Sequence, residues 1–224
     1  MSAVSFHLIE ALKTAFNSPK SRFRRISNTA DAKTYKPHAH VNQGPKSNSI
    51  VHISSLDDRQ KNFSSILKSA KSFRELGFDF TLDVIGKGEE LEAHQKEAKR
   101  LGIDKNVIFH GLQSKEKIAD FLRKARFLVL FSNYETQSCV AIESIMCGTP
   151  VLTSNIGGVN EVINSTNGIL IEPFHHNSLL DGLVNMWNTA EQFDSRQIAK
   201  AAKQYNYEHI GKDFHDMYQS VFEE

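Results

Sequence analysis

The sequence predicts a doubly wound, parallel α/β sheet with a helical C-terminal extension, on three observations. From Ser49 onward, short apolar runs alternate with longer segments of helical period. One run, "RFLVLFS" at 126–132, is apolar on both faces, as a strand covered from both sides must be. From His176 to the end the pattern is helical throughout. Strands alternating with helices of this length call for parallel pairing with helices on both sheet faces.

Taken in order, residues 5–16 carry Leu8, Ile9, Leu12, Ala15 and Phe16 at helical spacing and predict one amphipathic helix. Residues 17–48 are polar and hold three of the five prolines, which reads as a linker with one short strand. Its basic residues Lys20, Arg22, Arg24 and Arg25 read first as a solvated surface. "SIVHIS" (49–54) is then a buried strand, and 61–76 a helix with Phe63, Ile66, Leu67, Ala70, Phe73 and Leu76 on one face. "FDFTLDVIG" (78–86) is a strand, 89–102 a helix stopped by Gly102, and "NVIFHG" (106–111) a strand. Residues 114–125 form a helix capped by Ser114, ahead of the 126–132 strand. A helix around Glu143 ends at Gly148, and "TPVLTS" (149–154) and "GILIEP" (168–173) are the last strands.

Composition narrows the function classes. A chain of 224 residues with 40% hydrophobic content can bury one good-sized core. With 27 basic and 26 acidic residues there is no global field for nucleic acid or an anionic membrane. Cys139 and Cys147, the only cysteines, fall eight apart on one helix and read as reduced, buried side chains in a cytoplasmic protein. No apolar run approaches a membrane span, and the first 16 residues lack the character of a secretory signal.

In such sheets, ligands bind beyond the carboxyl ends of the strands, so the strand-to-helix loops carry the chemistry. Three of them stand out. "SSLDDRQKN" (54–62) brings Arg59 and Lys61 to a helix start, where a diphosphate would be favoured; the plainer reading is that Asp57 and Asp58 cap the helix and the cations are solvated. "VIGKGEEL" (84–91) has a Gly-x-Gly at Gly86 and Gly88, either for close approach to a ligand or for a tight turn; it lacks the third glycine of a dinucleotide fingerprint, which argues against an oxidoreductase. In "YETQSCVAIESIMCGTPV" (134–151), a helix beginning near Gln137 would separate Glu135 from Glu143 by roughly 10 Å along its axis, with amide groups between them. That layout suits a nucleotide sugar: one carboxylate for the sugar, one for the ribose, and the diphosphate over the helix start. The plainer reading is a glutamate complementing the helix dipole and a second one exposed. The histidines at 38, 40, 175 and 176 lack partners at zinc spacing, so no metal site is expected.

The segment 131–173 resembles the signature region of the family 4 retaining glycosyltransferases of GT-B architecture. Glu135, Glu143, Gly148, Pro150, Gly157, Gly158 and Glu161 fall on its motif positions. The resemblance extends to Val51–Lys61, to the Gly86/Gly88 turn and to the linker "RRISNTADAKTYKP", and so covers essentially the whole chain. It implies transfer of a sugar, with retention and without an essential metal or cofactor, from a UDP-, GDP- or ADP-sugar to a hydroxyl of a glycan or lipid-linked acceptor. It gives Glu135, Lys61 and Arg59 the catalytic role. Glu143, Gly86, Gly88, Gly111, Leu112, Thr136, Gln137, Ser138 and Cys139 would bind the donor, with the base against Gly111 and Leu112. Ser55 stands where many members have a phosphate-binding arginine, and Gln137 departs from the usual aromatic or glycine. The domains implied are a helix and linker over 1–48, a Rossmann-like donor domain over 49–190 and terminal helices over 191–224. The acceptor domain would lie outside the chain, on a separate chain in one arrangement, and the full enzyme would be cytoplasmic or peripheral to the membrane. An inactive nucleotide-sugar-binding or interaction module would carry the same motifs.

Overall fold

The structure, a computed structural model, describes residues 1–17, 23–37 and 47–222. Lys20, Arg22, His38 and His40 lie outside them. Six parallel strands form the sheet: β3 (Ser49–Ile53), β4 (Thr81–Ile85), β5 (Val107–Gly111), β6 (Phe127–Leu130), β7 (Val151–Ser154) and β8 (Gly168–Ile171). Their spatial order is β5-β4-β3-β6-β7-β8. The order reverses at β3, which pairs with β4 on one side (Ile50 opposite Leu82) and with β6 on the other (Ile50 opposite Phe127). Every residue of β6 and β7 is buried, which is why the apolar run at 126–132 was continuous and not alternating.

The helices cover both faces. Two of them, α3 (Phe63–Glu75) and α4 (Leu91–Arg100), join α7 (His176–Thr189) over one face, around Phe63, Ile66, Phe73, Ala98, Leu179 and Met186. The other face is covered by α5 (Lys115–Lys124), α6 (Cys139–Met146) and α8 (Ser195–Ala201), around Ala119, Leu122, Ile142, Ile145 and Ile198. This is the doubly wound fold that the alternation predicts. The chain opens with β1 (Ser2–Ala3), which pairs in parallel with β2 (Arg24–Arg25) from the linker. Between them α1 (Phe6–Phe16) is capped by Ser5. The C-terminal α9 (Tyr207–Phe222) buries Ile210 but leaves Tyr207, Phe214 and Tyr218 exposed. Short 3-10 turns at Ala190–Gln192 and Ala202–Tyr205 link these last helices.

Two local expectations change. The helix expected at 61–76 is α3, starting two residues later, and a separate short helix, α2 (Asp58–Lys61), precedes it; the C-cap Asn62, with a φ of 47°, breaks the rise between them. Leu76 belongs to the C-cap of α3 and is exposed, because the face it would share ends one residue earlier.

Buried imidazoles hold the loop that follows β3. The His52 ring lies within hydrogen-bond distance of the Val129 carbonyl through Nδ1 (2.9 Å) and of Ser54 Oγ through Nε2 (2.8 Å). Ser54 Oγ also accepts from the Leu56 amide at 3.0 Å, and His94 Nε2 reaches the Leu56 carbonyl at 3.2 Å. Phe63 packs between the two imidazoles, at ring-centroid distances of 4.8 Å from His52 and 5.1 Å from His94. Burial, reinforced by the charge of Lys61, depresses the His52 pKa to about 4. Its ring is therefore neutral, donating from Nδ1 and accepting at Nε2.

Phe63→Ala should lower unfolding free energy by about 3–5 kcal/mol in urea titrations, because it removes the ring against which both histidines rest. His52 makes stability pH-dependent. The unfolded chain takes up its proton near pH 6.5 while the native ring stays neutral down to about pH 4, so its contribution is whole above 6.5 and is lost as pH falls toward 4. A His52→Gln variant should show a shallower loss of urea midpoint over that window than the parent chain; equal slopes would show that His52 is not the group responsible.

Candidate functional site

Strand-order reversal between β3 and β6 leaves two loops side by side at the carboxyl edge with no crossover helix between them. They are residues 54–62 and 131–138. Their backbones satisfy each other: the Gln60 carbonyl accepts from the amides of Asn133 (2.8 Å) and Tyr134 (3.4 Å). Asn133 adds side-chain bonds to the Arg59 carbonyl (3.2 Å) and to Asn62 (3.2 Å). These bonds set the end of α2 against the start of the second loop, and the result is an ion pair. Lys61 Nζ lies 3.0 Å from Glu135 Oε2, with side-chain exposures of 21% and 15%.

Arg59 does not join them. Its side chain is 89% exposed and turns back to Asp57 at 3.5 Å. Asp57 caps α2 by accepting from the Arg59 amide, and Asp58 accepts from the Ser64 amide at 2.7 Å, so both aspartates cap helices. Lys61 stands at the end of α2, where the sequence had placed it at a helix start.

Glu143 lies deeper. Because α6 begins at Cys139 and not near Gln137, Glu143 is only four residues into it, a rise of about 6 Å from its start. Burial pushes its pKa above the usual carboxylate value, opposed by a hydrogen bond from the Tyr35 hydroxyl and by the charge of Lys115. Ser138 caps α6, accepting from the Ala141 amide at 3.2 Å. Cys139 is exposed, contrary to the expectation of two buried thiols, because it sits in the first turn at the helix end; Cys147 is buried. Desolvation, followed by the charges of Glu143 and Glu135, raises the Cys139 pKa, and burial pushes that of Cys147 up to about 12.

Gln137 packs against the linker. It is 2% exposed, and its side-chain oxygen accepts from Ser27 Oγ (2.9 Å) and the Asn28 amide (2.7 Å), while Asn28 Nδ2 donates to its carbonyl (2.9 Å). The residue fastens the linker to the sheet. Thr136 is held from both directions: its amide donates to Glu135 Oε1 (3.2 Å) and its carbonyl accepts from the Gly158 amide (3.0 Å).

The glycines of the sequence motifs serve contacts between backbones. A Cβ on Gly157 would lie 1.6 Å from the Glu135 carbonyl oxygen, and one on Gly158 would lie 2.5 Å from that of Thr136. Any side chain at this turn would displace the Glu135 loop. Gly86 and Gly88 meet the first loop in the same way, their added Cβ atoms falling 1.8 Å from the Ser54 carbonyl and 2.1 Å from that of Ser55. Gly111 faces open space, beside an exposed Leu112.

Sequence reasoning missed the contacts of Glu161 and Tyr35 as parts of this edge. Glu161 Oε1 accepts from the His7 amide at 3.2 Å, its Oε2 is 4.0 Å from Arg25, and its carbonyl accepts from Tyr205 at 3.2 Å. It ties α1, the linker and the C-terminal helices to the Gly157–Gly158 turn. These are long-range contacts with no local pattern to announce them. Among the described residues no group of three or more His, Cys, Asp or Glu side chains could hold a metal ion, and no helix is long and apolar enough to cross a membrane.

The two thiols should respond differently to Ellman's reagent. One per native chain should react, with a rate that keeps climbing above pH 9.0 as the raised Cys139 pKa delays its thiolate, and the second only after unfolding. Glu143→Gln should speed the native reaction by removing a neighbouring negative charge; two fast native thiols would contradict the packing of Cys147.

Comparison with known proteins agrees with this geometry. A family model described as glycosyl transferases group 1 matches residues 37–205. The lipopolysaccharide 1,2-N-acetylglucosaminetransferase of Salmonella typhimurium is 26% identical over 227 residues, covering 92% of this chain and 58% of that protein. An uncharacterized glycosyltransferase of Methanocaldococcus jannaschii is 32% identical over 118 residues, covering 50% of this chain and 32% of its own length. Among solved structures, the lipopolysaccharide outer core galactosyltransferase WaaB in its apo form has a TM-score of 0.82 at 20% identity, covering 98% of this chain and 61% of that one. HepE from Anabaena, in complex with UDP, also has a TM-score of 0.82, at 19% identity, covering 98% and 63%. These two likenesses show the fold. The matched regions cover between 32% and 63% of the length of these proteins. With three quarters of its residues inside the family model, and the sheet and its edge arranged as described, the chain belongs to the group 1 glycosyl transferases.

Proposed function

We propose that this chain is the donor-binding half of a retaining, family 4 glycosyltransferase, moving a sugar from a nucleoside diphosphate to an acceptor hydroxyl. The observation that carries the reading is the Lys61–Glu135 pair at the strand-order reversal, with Glu143 one turn into the adjoining helix. On this reading the diphosphate lies over the first turn of α6, whose free amides favour an anion, and draws the Lys61 ammonium toward it. As the bond to the sugar breaks, negative charge grows on the diphosphate, and a fixed cation beside it stabilises that charge more than it stabilises the intact donor. Glu135, released from its lysine, accepts hydrogen bonds from the sugar hydroxyls, and Glu143 accepts from the ribose. Retention and family 4 membership rest on the motif resemblance over 131–173. The acceptor, a glycan or a lipid-linked sugar, is proposed to bind a domain outside these residues, on the same or a separate chain.

Calorimetric titration with UDP, GDP and ADP tests the donor site directly. One nucleotide should bind saturably, and Lys61→Ala and Glu143→Ala should each weaken it by about tenfold or more, the scale of a lost charged hydrogen bond. Arg59→Ala should change affinity by less than about threefold, since its side chain is solvated and paired with Asp57. Absence of binding by all three nucleotides to the folded chain would remove the reading.

A further inference from the structure

We infer that Glu90 is a positioning residue for Lys61: from the start of α4 its carboxylate holds the first amide of α2, and so sets where the ammonium three residues on meets the diphosphate. This rests on the donor reading above. Glu90 is the N-cap residue of α4, yet its side chain makes no capping bond there. Its Oε2 instead accepts from the Asp58 amide, 32 residues earlier, at 2.5 Å. A bond to a carboxylate is shorter and stronger than one between neutral groups. The segment it grips is strained. Leu56 is fully buried with a φ of 56°, a left-handed backbone that a bulky side chain disfavours. Such a conformation persists only where its surroundings over-determine it. Two residues one turn apart at the start of α4 supply that: His94 Nε2 lies 3.2 Å from the Leu56 carbonyl, and Glu90 takes the amide of Asp58 two residues on. Ser54 Oγ, accepting from the Leu56 amide at 3.0 Å, closes the turn from the other side.

The helix α2 is a single turn, too short to keep its own direction, and Asn62 breaks it from α3 with a φ of 47°. It is held from outside at both ends: by Glu90 at Asp58, and by the Gln60 carbonyl accepting from the amides of Asn133 and Tyr134. Lys61 is its last residue and takes its place from both, 3.0 Å from Glu135. The same bonds show what this loop has left for an anion. Glu90 takes the Asp58 amide, and Asp57 Oδ1 the Arg59 amide at 3.0 Å, so carboxylates already occupy the start of α2. What the loop brings to a diphosphate is the Lys61 ammonium, and a displacement of α2 carries that charge with it.

The test compares the parent chain with Glu90→Ala, which removes the acceptor, and Glu90→Gln, whose amide oxygen can still accept from Asp58. Two readouts are used. Without ligand, carbon-13 NMR of the labelled Glu135 carboxyl, assigned with Glu135→Gln, reports its contact with Lys61. The displacement of that signal by Lys61→Ala should appear in Glu90→Ala and be largely absent in Glu90→Gln. With ligand, calorimetry follows UDP, GDP and ADP: Glu90→Ala should weaken the accepted nucleotide about tenfold, and Glu90→Gln by less than about threefold. In the Lys61→Ala background the Glu90→Ala loss should vanish; an equal loss in both backgrounds marks general loosening and overturns the inference. An unmoved Glu135 signal with unchanged affinity in Glu90→Ala also overturns it. Should Glu90→Ala not fold, Glu90→Asp, with a carboxylate one carbon shorter, takes its place under the same criteria. If no nucleotide binds the parent chain, the donor reading fails on its own account, and the Glu135 signal alone still decides whether Glu90 places Lys61.

Discussion

The constraint on which the rest depends is the reversal of strand order at β3. A chain that builds β3, β4 and β5 in one direction and then returns to place β6 on the other side of β3 must send its later crossovers over the opposite face, because parallel crossovers keep one hand. That single return divides the helices into two layers and produces two separate hydrophobic clusters, one on each side of the sheet. It also leaves the loops after β3 and β6 adjacent with nothing between them. Their amides and carbonyls need partners, and they find them in each other, through Gln60, Asn133 and Tyr134. The ion pair of Lys61 with Glu135 follows from that backbone exchange: the two side chains meet because the loops are bonded a residue or two away.

What keeps those loops in place is close packing of main chain on main chain. Gly86 and Gly88 lie against the first loop and Gly157 and Gly158 against the second, each at distances that leave no room for a β-carbon. Below the first loop the His52 ring, kept neutral by burial, bridges the Val129 carbonyl on one side and the Ser54 hydroxyl on the other. These glycines thus decide the shape of the carboxyl edge of the sheet.

Most of the fold could be read from the sequence, because burial on both faces writes itself as uninterrupted apolar runs and the covering helices as a 3.6-residue period. Each of the six strands and the helices between them came from those two signals. The site was legible in part. Glu135, Glu143 and Lys61 could be picked out by type and spacing, and their loops by topology. What could not be read was contact between distant segments. Gln137 was assigned to the ligand through the family resemblance, yet its side-chain partners are Ser27 and Asn28, more than a hundred residues earlier. The short helix α2 was hidden because Asn62 continues a helical pattern in composition while adopting a left-handed backbone. The two-residue strands β1 and β2 are too short to show any period.

The two carboxylates that distinguish this edge differ in their electrostatic setting, and the difference bears on how a ligand would be held. Glu135 is charge-compensated by Lys61 at 3.0 Å. Glu143 has no cation in contact through an ion pair among the described residues; its compensation is a neutral hydroxyl and the more distant charge of Lys115, which leave its pKa raised. Burial is what raises it, by taking water away from the ionised form. Ribose hydroxyls would supply donors in its place, so under the proposed function a bound nucleotide lowers the Glu143 pKa toward its ordinary value and binding on the acid side releases a proton. Glu135 faces the opposite demand, since a sugar can engage it only as Lys61 turns to the diphosphate. On the proposed reading, one carboxylate gains partners when the donor binds and the other gives one up, both changes driven by one molecule lying across the first turn of α6.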